Sequence, residues 1–254
     1  FDTSHVTNMS AMFAGDKSLP NLDVTSFDTS HVTDMTNMFA SMGKLSSLDL
    51  SHFNTSKVTK MESMFGVYTT LYMLCEDTYS PERSLTSLDL SSFDTSHVTN
   101  MSGMFSAQIN ITNLNLSNFN TSQTDNMGYM FCGMTKLQNL NLSSFDTSNV
   151  TKMESMFESS MMDPIKGVLD ISSFSSNNLH IVSRMFYDTK IKTIYTQAGF
   201  NTNSAIDIYS VDVFHDNIYL VGGNGTVYSA SNPTDRTYGR VDAPGTPGYF
   251  TKKP

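Results

Sequence analysis

The chain has no tryptophan, holds only two cysteines, and draws just 15% of its 254 residues from Asp, Glu, Lys and Arg. The two cysteines, Cys75 and Cys132, exclude a miniprotein framed by disulfides and a four-cysteine zinc site. No stretch nears the ~18 consecutive apolar residues of a membrane span, so bilayer insertion is not expected. Basic residues are scarce: 15 Lys and Arg stand against 24 Asp and Glu, a formal charge of −9. That balance argues against nucleic acid, whose binders need a basic footprint. Catalytic signatures are missing too; G-x-S-x-G, H-E-x-x-H and C-x-x-C do not occur. Ser, His and Asp abound but recur periodically, whereas a triad needs three singular residues that converge. No enzyme is expected, and no metal or other cofactor.

What the chain does have is repetition. FDTSHVTNMSAMF at Phe1 returns as FDTSHVTDMTNMF at Phe27 and FNTSKVTKMESMF at Phe53. It recurs as FDTSHVTNMSGMF at Phe93, FNTSQTDNMGYMF at Phe119 and FDTSNVTKMESMF at Phe145, and degenerates to FSSNNLHIVSRMF at Phe174. The spacing is 26 residues, with one insertion of 14 after the third block and one of 3 after the sixth. Each unit has a second half of the form LxxLxL, from LPNLDV at Leu19 through LQNLNL at Leu137. A short LxL segment at a period in the twenties is the leucine-rich-repeat pattern.

The alternating second half reads as a strand, its Leu inward and its Asp or Asn outward. Strands are expected near Leu22–Val24, Leu48–Leu50, Leu88–Leu90, Leu114–Leu116, Leu140–Leu142 and Leu169–Ile171. In the first half, Val6, Met9, Met12 and Phe13 fall on one face of a short helix, preceded by the capping and turn formers Asp2, Thr3 and Ser4. Most of the 18 Met occupy these inward positions, where unbranched thioethers fill irregular gaps. One unit cannot bury its apolar side alone, but a stack of seven can. The expected fold class is an α/β repeat: a right-handed leucine-rich-repeat solenoid over residues 1–197, with one parallel sheet and short helices on the other side. Residues 198–254 read as a β-rich C-terminal cap, with a tight turn at Gly222, Gly223 and Gly225.

The block FDTSxVTxMxxMF followed by LxxLDLSS resembles the BspA-like, Mycoplasma-type leucine-rich repeat of bacterial surface proteins, which lactobacilli and related Firmicutes carry. The tail from Leu220 to Pro254 is similar to the segment that closes such arrays. The resemblance implies an extracellular protein anchored to the bacterial cell wall, an adhesin without catalytic residues. The chain opens in mid-pattern on Phe1, with neither a signal peptide nor a Leu-Pro-x-Thr-Gly sorting motif, so an excised fragment is expected. Thr124 departs from the Val of the other units.

Three surface features are candidates for binding. The first is the outward row of the strands, Asp23, Asp49, Asp89, Asn115 and Asn141, which could equally keep a sheet soluble. The second is a basic row before each expected helix, His5, His31, Lys57 and His97, lined up at about 4.8 Å per coil. The third is the insertion from Gly66 to Ser84, with Tyr68, Tyr72 and Tyr79, which could also fold back as a local mini-core. Cys75 lies in that insertion and Cys132 two units on, at about 10 Å in stacked coils. Two independent thiols are expected, unless the loop helps to bridge the gap.

The leading functional expectation is a monomeric binding module, gripping a host extracellular-matrix protein, a mucin or a glycosaminoglycan-type glycan. Its alternative is a structural stalk that holds another domain away from the cell wall. Acid should favour attachment to polyanions, because near pH 4 the net charge turns to about +9 as carboxylates protonate and histidines charge.

Overall fold

The computed structural model describes residues 2–67, 75, 84–161, 167–207, 210–229 and 231–254. Successive units lie parallel, each bonded to the next through the block that contains the paired Met. The N–H groups of Met9, Ala11, Phe13 and Gly15 donate to the carbonyls of Asp34, Thr36, Met38 and Ala40 at 2.8–3.0 Å. Those in between turn back within their own unit: Met12 donates to Met9 at 3.3 Å and Ala14 to Ala11 at 3.1 Å. Parallel bridges thus run from Asn8 through Asp34, Lys60, Asn100, Asn126 and Lys152 to Ile181.

This sharing corrects the expected helices. An α-helix directs its N–H groups to carbonyls of the same segment, whereas here alternate ones must reach a neighbour. Residues 6–13 and their equivalents form turns instead, and the only helical segments among the described residues are 3₁₀ turns at Thr202–Ser204 and Arg236–Tyr238. Alternation requires a left-handed residue in the unit, at Ala11 (φ 54°), Asn37 (58°), Ser63 (48°) and Tyr129 (61°), and at Gly103 (62°) in unit four. Such a φ costs a residue with a Cβ about 1–2 kcal/mol, and the bonds between units offset it.

On the opposite side, β1 (Asn113–Asn115) pairs in parallel with β2 (Asn139–Asn141), Leu114 opposite Leu140. A second parallel sheet contains β3 (Val168–Asp170), β4 (Thr193–Thr196) and β5 (Phe250–Lys252), in that order. Two sheets therefore stand where one was expected, and the break between β2 and β3 falls where the repeat lengthens. The strands of units four to six begin one residue earlier than expected. Leu22–Val24, Leu48–Leu50 and Leu88–Leu90 are not strands at all. They still bury Val24, Leu48, Leu50 and Leu90. Their coils are tied through the bridge side rather than by a sheet.

The core is a continuous column of phenylalanines flanked by methionine. Phe13, Phe39, Phe65, Phe105, Phe131, Phe157, Phe186 and Phe214 stack with centroids 5.5–6.0 Å apart and planes within 2–16° of parallel. Met35, Met38, Met61 and Met64 are wholly buried beside it, while Met12 of unit one is 46% exposed. Phe214 lies in the segment expected to be cap. Regular bonding runs past residue 197, with Arg184 donating to Val211 and Phe186 to Val213, so an additional coil follows unit seven. The apolar end is closed by Phe250, whose ring meets Phe186, Phe200 and Phe214, and by Tyr249 against Phe214.

A second set of bonds rivets the units. Thr3 donates its hydroxyl to the Asp28 carbonyl and accepts from the Asp28 N–H. Thr29 repeats this on Asn54, Thr55 on Asp94, Thr95 on Asn120 and Thr121 on Asp146. These threonines are buried. The irregular Thr124 is also fully buried, and its hydroxyl is satisfied by the Val98 carbonyl at 2.9 Å. Among the described residues, no helix is long and apolar enough to cross a membrane.

Candidate binding face

Each Leu-rich segment ends in an Asp or Asn that closes a turn. The side-chain Oδ1 of Asp23, Asp49 and Asp89 accepts the N–H of Thr25, Ser51 and Ser91, each at 3.0 Å. These hydrogen bonds hold all three carboxyls below the usual carboxylate range. Asn115 and Asn141 make the same turn, accepting from Ser117 at 3.1 Å and Ser143 at 3.0 Å. The row is thus built for turn closure first, as Asx turns require. What it offers to solvent differs along the array. An Asp whose Oδ1 is held by the turn leaves a charged acceptor oxygen outside, whereas an Asn held the same way leaves its NH₂ donor outside.

That switch from acceptor to donor coincides with a groove of about 630 Å³ on β1 and β2, extended by Gln138 and Val168. Asn115 and Asn141 line it, together with Asn113, Gln138, Asn139 and Val168, which sequence reasoning did not single out. A signal was there: only in units four and five do both outward positions of the LxL segment hold Asn. The Asn139 amide donates to Asn113, and the Asn113 amide donates to Thr112 Oγ1 at 2.9 Å. At the next coil, Asp170 is neutralised by Lys253, 2.7 Å from its Oδ2. Burial pushes the Asp170 carboxyl up, but hydrogen bonds from Lys253 and Ser172 outweigh it and leave the group low.

His5, His31, Lys57 and His97 are exposed, on the turn that precedes the bridge row. Each imidazole Nδ1 lies 3.0–3.1 Å from the preceding serine hydroxyl, of Ser4, Ser30 or Ser96. The row is not purely cationic. Asp2, Asp28 and Asp94 accept the N–H groups of the same three serines, and those bonds hold their carboxyls low. Asp28 is lowered chiefly by Ser30, with smaller contributions from His31 and His5. Carboxylates that stay ionised in acid therefore sit between the histidines.

Tyr68, Tyr72 and Tyr79 lie outside the described residues. Cys75 and Cys132 are joined in a disulfide with Cα atoms 5.2 Å apart, which corrects the expectation of two free thiols. The insertion carries Cys75 past unit four to unit five, so the pitch of the stack no longer separates the sulfurs. Small residues let it pass. Val67 and Ala107 pack against the bridge, and a Cβ added at Gly133 would lie 3.3 Å from the Cys75 carbonyl oxygen.

No curated protein and no solved structure matches the chain. A family model described as "Mycoplasma protein of unknown function, DUF285" matches residues 1–76 and 73–197, most of the length, and the chain belongs to that family.

Proposed function

We propose that the chain is the ligand-binding region of a bacterial cell-surface adhesin. In this reading the stack is a leucine-rich-repeat solenoid displayed outside the cell, and it attaches to a host matrix protein, a mucin or a glycan without catalysing a reaction. The observation that carries it is the amide-lined groove on β1 and β2, which interrupts an otherwise repetitive acidic row. A spacer needs only a uniform, soluble outer face; a groove with its own side-chain chemistry is a place for a ligand. The disulfide supports an extracellular setting, since such bonds persist in oxidising compartments.

The test is a binding screen of the chain against immobilised matrix proteins, mucins, neutral glycans and glycosaminoglycans at pH 4 and pH 7. Saturable binding to at least one of these is expected. Failure to bind any of them at either pH overturns the reading in favour of a structural stalk.

A further inference from the structure

We infer that the groove on β1 and β2 takes a neutral glycan bearing acetamido groups, one sugar ring to each coil; this rests on the binding reading above. The argument begins with charge along the outward face. Units one to three present the outer carboxylate oxygens of Asp23, Asp49 and Asp89, and their turn bonds keep these ionised well into acid. Units four and five present none, because Asn115 and Asn141 stand in their place. The carboxylate of unit six, Asp170, is matched by Lys253. The groove is therefore a neutral window beside an acidic stretch, on a chain of formal charge −9. A polyanion is repelled from it, and a cation finds its attraction at units one to three instead.

Hydrogen-bonding polarity narrows the ligand further. The Ser117 and Ser143 N–H groups fix the oxygen of each Asn side chain inward, so the Asn115 and Asn141 NH₂ groups point outward, one per coil. The groove thus asks for acceptors at the coil spacing of about 4.8 Å, close to the length of one pyranose residue. Its floor is apolar, with Leu140 half-buried and Val168 50% exposed. An acetamido sugar supplies both partners: a carbonyl acceptor for the amide, and a methyl group and ring C–H face for the floor.

The test is calorimetric titration of the chain with an N-acetylglucosamine hexasaccharide. Hyaluronan, which carries the same acetamido sugar alternating with a carboxylate, is titrated in parallel. The key variant is Asn115→Asp/Asn141→Asp. It restores the residue that closes the same turn at Asp23, Asp49 and Asp89, so folding is retained, and circular dichroism checks this. Wild type is expected to bind the neutral oligomer more tightly than hyaluronan at pH 7. The double variant is expected to lose about tenfold or more in affinity for the oligomer. Asp89→Asn, which widens the neutral window by one coil, should hold longer oligomers more tightly. Equal binding by wild type and the double variant overturns the inference, as does preference for hyaluronan. If a protein or mucin still binds in the broader screen, the adhesin reading survives that failure; if nothing binds, both fall.

Discussion

Thr95 and Asn120, one unit apart, exchange two hydrogen bonds: the Thr95 hydroxyl donates to the Asn120 carbonyl at 2.9 Å and accepts its N–H at 2.8 Å. One buried hydroxyl satisfies both backbone groups of a neighbouring turn, and its counterparts at Thr3, Thr29, Thr55 and Thr121 do the same. A side chain of the same shape without the hydroxyl leaves a buried donor and acceptor unmatched. Thr95→Val should cost about 1–3 kcal/mol and Thr95→Ser distinctly less, measured as the shift in urea midpoint.

The aromatic column makes a contrasting pair. Phe65 is stacked on both sides, against Phe39 and Phe105, and neither it nor Met64 has solvent exposure. Phe65→Ala opens a cavity in the middle of the stack and should cost about 3–5 kcal/mol. Met64→Leu conserves volume and should cost under about 1.5 kcal/mol. The reverse order in denaturant titrations would contradict this packing.

The bridge between Cys75 and Cys132 closes a loop with a sequence separation of 57. Tying that loop restricts the unfolded chain, and Cys132→Ser should lower stability by about 2–4 kcal/mol. Reduction should lower the melting temperature of wild type and leave that of the variant unchanged. Thiol titration of the unreduced, denatured wild type should find no free cysteine.

Asp242 anchors the closing segment. Its carboxylate accepts the N–H groups of Asn224 at 2.8 Å and Thr226 at 2.9 Å, the Thr226 hydroxyl at 2.7 Å and the Gly248 N–H at 3.3 Å. Burial raises its pKa, but these bonds outweigh that and hold it below the ordinary value. A depressed folded-state pKa contributes stability that is complete above the unfolded value near 3.9 and is lost as pH falls through the folded value. Asp242→Asn should therefore lower the unfolding midpoint at pH 7. The gap to wild type should close progressively as the pH is taken below about 4.

Asp28 and Asp94 bear on the acid response. Because they stay ionised among His5, His31 and His97, they offset the charge that these histidines gain in acid. Asp28→Asn/Asp94→Asn should bind heparin-like glycan more strongly than wild type at pH 5, and added salt should erase the gain. Unchanged binding would mean that net charge alone governs the acid response.

Much of the fold was legible because a repeat puts equal residues in line. The 26-residue period aligns Phe39 with Phe65, and the LxL alternation buries Leu50 and exposes Asp49, whatever the bonding in between. The candidate site was legible in part. Asn115 and Asn141 stood in the outward row, but the groove also needs Asn113, Gln138 and Val168, which only a view across neighbouring coils brings together.

The helices were misread because Val6, Met9, Met12 and Phe13 share one spacing with two consecutive turns. An apolar pattern records which side chains face inward, not where the N–H groups go. Thr3 looked like a cap for the same reason, since its partner lies in the following unit rather than the following turn. The sequence by itself therefore determined the repeating unit, its inward Phe and Met and its outward Asp and Asn, all properties of one coil. The tertiary structure decided how coils join: alternate N–H groups shared between units, an extra coil reaching Phe214, and Cys75 carried to Cys132. Each depends on a partner one or more coils away, and contacts of that kind exist only once the stack has formed.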